Sequence, residues 1–81
     1  MTLLERIDDA IAVVNQQAET IEQAAELELA NVRAALDMLH HQRKRWFEQA
    51  AEALSSDEER RLKLVSAFDR MECALVAHTV S

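Results

Sequence analysis

Residues 3–54 read LLERIDDAIAVVNQQAETIEQAAELELANVRAALDMLHHQRKRWFEQAAEAL, a stretch without glycine or proline. Within it Leu4, Ile7, Ile11, Val14, Ala18, Ile21 and Ala25 recur at alternating steps of three and four, the apolar seam of a heptad helix. The row continues through Leu29, Val32, Leu36 and Leu39, then Trp46, Phe47, Ala50 and Leu54. Two consecutive four-residue steps, from Ile21 to Ala25 and from Ala25 to Leu29, loosen the left-handed supercoil as a stutter does. Read as one helix, the stretch would be about 78 Å long at 1.5 Å per residue.

The rest of the chain agrees with a helical reading. All 81 residues lack glycine and proline, so sheets and tight turns are deprived of their usual residues. Hydrophobic residues make up 49% of the chain, too many for a charged disordered tail, and the class expected is all-α. Thr2 followed by Glu5 forms a capping box at the start of the first helix. Ser55 and Ser56, followed by Glu58 and Glu59, repeat that signal, with acids in a first turn that faces the positive end of the helix dipole. These signals predict a long helix over 3–54, a turn at 55–56 and a shorter antiparallel helix over 57–78, in one helical domain over 1–81. A weaker box at Thr20 and Gln23 allows a break there, which would turn the helical hairpin into a three-helix bundle.

The second helix carries Leu64, Phe68, Met71 and Leu75 on one face and is about 33 Å long. Folded back, it would cover residues 32–54 and leave 3–29 bare. A chain this small buries only roughly 60% of its unfolded surface, and an uncovered apolar seam marks an interface. Leu4, Ile7, Ile11, Val14, Ile21 and Leu29 are therefore the expected partner or oligomer contacts.

Charge is distributed unevenly. Residues 1–30 contain Arg6 against Glu5, Asp8, Asp9, Glu19, Glu22, Glu26 and Glu28, which accounts for the whole net charge of −6. Parallel pairing of two such segments would be repulsive, so a homodimer is expected to be antiparallel, with the acids near Arg43-Lys44-Arg45. Glu19, Glu22 and Glu26 form an acidic stripe, read as the solvated side of an amphipathic helix or as a phosphate-like array that mimics nucleic acid.

Arg43 falls inside the apolar stripe between Leu39 and Trp46. It is expected to snorkel toward Asp69 or Glu72, or to act as a specificity residue. Trp46 and Phe47 are expected to plug the closed end of the hairpin, with Trp46 the alternative interface anchor. Direct nucleic-acid contact by the run His40 to Trp46 is disfavoured by a pI near 4.9. His40, His41, His78 and Cys73 assemble no four-ligand metal set, and no cofactor or catalytic motif is present. The lone Cys73 suits a reducing compartment, acids interrupt any leader before Val14, and no run approaches the roughly 18 residues of a membrane span. A soluble, cytoplasmic, non-enzymatic protein is expected.

The overall plan is similar to two groups of small helical proteins. One is the co-chaperones of type III secretion needle subunits, which hold an aggregation-prone partner on an apolar helix face. The other is the phage-encoded inhibitors of bacterial host proteins, among them anti-CRISPR proteins and antiactivators. The likeness is in size, helicity and charge over the whole chain, and no residue carries across. It implies a protein-binding module, chaperone or inhibitor in type, that oligomerises and occludes a partner; the alternative is an acidic nucleic-acid mimic acting on a nucleic-acid-binding complex.

Overall fold

A helix running from residue 3 to 54 requires Ala24-Ala25-Glu26-Leu27-Glu28 to stay helical. In the computed structural model, which describes residues 1–80, it does not. Four helices follow one another, α1 (Leu3–Gln23), α2 (Leu29–Gln49), α3 (Ala51–Ser56) and α4 (Glu58–Thr79). With 88% of the described residues helical and no strand among them, the all-α class holds. The greatest extent is 39 Å, half that of the continuous rod, because the chain reverses after α1.

The reversal needs no special residue. Ala24 and Glu28 adopt ordinary extended conformations (φ −69°, ψ 132° and φ −66°, ψ 132°), and no described residue has positive φ. The Ala24 N–H donates to Ile21 O at 3.2 Å, a tightened last turn. The predicted break at Thr20 falls one turn too early, since its hydroxyl donates to Gln16 O inside the helix and caps nothing. Energy decides the matter. Interrupting the helix forgoes a few backbone bonds at roughly 1 kcal/mol net each. Folding back buries Ile7 and Val14 and half-buries Ile11 and Ile21, at about 1.5–3 kcal/mol for each fully covered side chain. Burial outweighs the helical preference of the Ala-Ala-Glu-Leu-Glu link.

Caps set the remaining boundaries. Thr2 Oγ1 accepts from the Glu5 N–H at 3.2 Å, the expected start of α1. The second turn lies at Asp57, where the sequence predicts 55–56: Asp57 Oδ1 accepts the Arg60 N–H at 3.1 Å and caps α4, while Ser55 and Ser56 end α3. Asp57 wins because its carboxylate both caps and pairs with the Arg60 guanidinium. At Ala50 the ladder continues through Ala50 N–H to Trp46 O and Leu54 N–H to Ala50 O, both 2.9 Å, so α3 prolongs α2.

α4 is the central element. Ion pairs of Arg60 with Asp8 and of Arg70 with Glu22 show that it runs parallel to α1, and the contacts of His40 with Glu72 and of Arg43 with Asp69 that it runs antiparallel to α2. Leu64, Ala67, Phe68, Met71, Ala74 and Leu75 are buried along it, and all but Ala74 share a core with Ile7, Val14, Ala18, Val32, Leu39 and Leu54. Direct approach between α1 and α2 is slight, and a furrow separates them.

Two guanidinium–carboxylate pairs tie α1 to α4, and a third closes the α4 cap at Asp57. Arg60 grips Asp8 (2.9 and 3.1 Å) as well as Asp57, and Arg70 grips Glu22 (2.7 and 3.1 Å). Hydrogen bonds from Arg60 hold the Asp8 and Asp57 carboxyls below their ordinary range; those from Arg70 do the same for Glu22. Both arginines are raised in turn. A depressed carboxyl pKa contributes stability that is complete above the unfolded value and is lost as pH falls through the folded one. The melting temperature is therefore expected to be flat from pH 7 to about 5 and to fall below about 4, near the ordinary values of 3.8 and 4.5. A double Arg60→Gln, Arg70→Gln chain should melt a few degrees lower at pH 7 and show a shallower acid fall; an unchanged slope would contradict the assignment.

Candidate functional site

The seam expected to receive a partner is largely occupied within the chain. Ile7 is fully buried and Val14 only 4% exposed, both against α4, while Ile11 and Ile21 pack at the margin of the same core. Leu4 and Leu29, at the two ends of the row, stay exposed. The reason is the reversal at 24–28, which brings α4 over residues that a continuous helix would have left bare.

The acidic stripe is likewise not one helical row. Glu19 is exposed and accepts from Gln23 Nε2 at 3.4 Å, Glu22 is held by Arg70, and Glu26 lies in the link after α1. His78 closes that end of α1: its Nε2 lies 2.8 Å from Ile21 O, and since a carbonyl only accepts, Nε2 carries the proton.

Arg43 is partly buried and reaches both acids on α4, with Nη2 at 3.2 Å from Glu72 Oε2 and Nη1 at 3.9 Å from Asp69 Oδ1. Nη2 also donates to His40 Nδ1 at 2.8 Å. The residue thus ties α2 to α4. Trp46 is half-buried and contributes to the core and to the furrow between α1 and α2.

Beside Ile21, Leu39, Trp46 and Ala50 of the apolar seam, that furrow gathers residues the seam does not contain. At its middle, Gln17, Thr20 and Ile21 of α1 face Ala35, Met38, Leu39 and Gln42 of α2 across a floor that includes Met71, enclosing about 340 Å³. Met38 on the rim is 61% exposed. Toward the start of α1, Leu3 and Arg6 face Arg45, Trp46, Gln49 and Ala50 across about 440 Å³. Helical spacing explains the grouping, because Leu3, Arg6, Ala10, Val13, Gln17 and Thr20 form one row of α1, and Asn31, Ala35, Met38, Gln42, Arg45 and Gln49 form one row of α2.

Neither row contains a carboxylate, although the chain has 15. The acids of α1 lie toward α4 and the outer side. The furrow is therefore neutral to basic and partly apolar on a strongly acidic protein. This second row was present in the sequence as an acid-free stripe beside the seam, and the seam's larger side chains masked it.

Among the described residues no three His, Cys, Asp or Glu side chains converge as a metal set, and no helix is long and apolar enough to cross a membrane. Compared with known proteins, the chain matches no family model, no curated protein and no solved structure.

Proposed function

We propose that the protein is a non-catalytic binding module whose α1–α2 furrow takes an amphipathic helix of another protein, occluding that helix from its other contacts. The carrying observation is the acid-free, partly apolar furrow with Met38 standing on its rim. A helix laid in a groove anchors through residues at spacings of three and four, and the antiparallel rows of α1 and α2 offer such a track. Charge selects the occupant. Arg6 and Arg45 favour a segment carrying acids, while a second copy docked through the same face would gather four guanidinium groups and no carboxylate. Whether the occluded protein is protected or inhibited depends on what its helix does when free.

Self-association is a second reading, favoured by surface area. The chain exposes 5576 Å², against roughly 4,900 Å² for a folded monomer of its mass. An antiparallel homodimer through the outer face of α1, acids toward Lys44 and Arg45, would cover part of that surplus. The nucleic-acid-mimic reading loses its regular array, because Glu22 is engaged and Glu26 is off the helix.

Substitution separates these readings. Met38→Asp places a carboxylate on the furrow rim at an exposed position, where stability changes by no more than about 0.5 kcal/mol. Nuclease-treated lysate passed over immobilised full-length protein should yield a stoichiometric partner whose retention falls at least tenfold with Met38→Asp. It should survive Leu62→Asp, a change at an exposed leucine of α4 outside the furrow. Retention indifferent to Met38→Asp would overturn the furrow assignment. Loss only on reversing Glu19 and Glu26 would favour mimicry.

A further inference from the structure

The chain has nine basic side chains, and six have a carboxylate within ion-pair distance. Arg43, Lys44, Arg60, Arg61, Lys63 and Arg70 are so paired. Among the described residues Arg6, Arg33 and Arg45 have no such partner, in a protein with six acids to spare. Two of these three, Arg6 from α1 and Arg45 from α2, line the same cleft at the end of the furrow. The acids nearest them in sequence, Glu5, Asp8, Asp9 and Glu48, do not line it: Asp8 is held by Arg60, and Glu48, which with Glu52 lines the adjoining hollow beside Leu3, Gln49 and Ala50, is engaged by Lys44 at 4.0 Å.

Chemistry narrows what such a cleft can take. A guanidinium is a planar fork of donors that matches a carboxylate, and its charge persists at any physiological pH. Two of them on opposite walls can divide the two oxygens of one carboxylate, with the Gln49 amide as a further donor. Leu3, Ala50 and the half-buried Trp46 supply apolar surface, which displaces water and strengthens the ionic contact. On α2, Arg45 lies one helical step from Gln42, which lines the hollow beside Met38, so a ligand that reaches both has an acid next to an apolar side chain.

We infer that the Arg6–Arg45 cleft is a binding site for the carboxylate of an acidic residue on the docked segment, an Asp or Glu beside an apolar neighbour. The inference rests on the furrow reading above for the identity of the segment. The anion preference itself is testable without it.

Trp46 is the only tryptophan and lines this cleft, so its fluorescence carries no contribution from a second indole elsewhere. The full-length chain would be titrated at low salt with acetyl-Leu-Glu-Glu-Leu-amide, its glutamine counterpart and inorganic phosphate, with side-chain Nε–H shifts of Arg6 and Arg45 recorded by NMR in parallel. The glutamate peptide should saturate with a dissociation constant on the order of millimolar, as expected for an isolated contact. Arg6→Gln and Arg45→Gln should each weaken it at least tenfold. Arg33→Gln, which removes the unpaired arginine outside the cleft, should leave it unchanged, and all three exposed substitutions should retain the helical spectrum. An equal response to the glutamine peptide, equal weakening by Arg33→Gln, or absence of any change in both signals would overturn the site. Tighter saturation by phosphate would overturn the carboxylate assignment in favour of a phosphorylated ligand. Met38→Asp distinguishes the two proposals, because partner loss there with a failed peptide titration removes only the cleft, and the reverse removes only the furrow.

Discussion

An Ile7→Asp chain is expected to be unfolded at neutral pH, with its helical circular-dichroism signal lost at room temperature. Ile7 has no exposed surface and packs in the core shared with α4. The substitution removes a buried aliphatic side chain, worth about 2–5 kcal/mol. It also leaves a carboxylate without a cationic partner, at a further cost of several kcal/mol. Total stability for 81 residues is roughly 4–12 kcal/mol at 0.05–0.15 per residue. The damage is therefore comparable with the whole margin. If residues 3–29 were instead a seam reserved for a partner, the same chain would stay folded and lose only association, so circular dichroism alone decides between the two.

Phe68→Ala should come next in severity. The ring is 1% exposed and is the largest of the fully buried side chains. Its truncation costs about 3–5 kcal/mol through lost burial and the cavity left behind. For a domain of this size each kcal/mol moves the melting temperature by roughly 4–8 °C, so a fall of at least about 12 °C is expected. Met38→Ala, on the exposed rim of the furrow, should move it by no more than a few degrees. A similar fall for both would mean that the furrow is structural.

Much of this architecture was legible in the amino acids. Thr2 caps where its box predicts, and Arg43 finds Glu72 and Asp69 as its place in the apolar stripe suggested. The link at 24–28 was not legible as a turn because Ala, Glu and Leu are strong helix formers and nothing in it requires positive φ. Its one trace was the stutter at Ala25 and Leu29, where the heptad loses phase. A seam out of phase cannot stay covered by one neighbour, and the chain turns there. The turn at Asp57 was displaced from Ser55–Ser56 because a carboxylate that caps and also pairs with Arg60 outcompetes a hydroxyl that only caps. The acid-free rows were visible in principle, but their significance depends on α1 and α2 lying side by side, which only the reversal establishes.

The central position of α4 bears on how the chain acquires its fold during synthesis. The helix that covers α1 lies about fifty residues further along, so the contacts that bury α1 are distant in sequence. Non-local contacts must pay for loop closure before they stabilise anything, which slows folding. A ribosome adding roughly 5–20 residues per second needs about one to four seconds to make α4 alone. Throughout that interval Ile7, Val14 and Ala18 are presented to the surroundings on a nascent helix with nothing over them. A ribosome-associated chaperone would meet an apolar stripe that the finished molecule hides, and a chain ending before Glu58 would leave it without its cover.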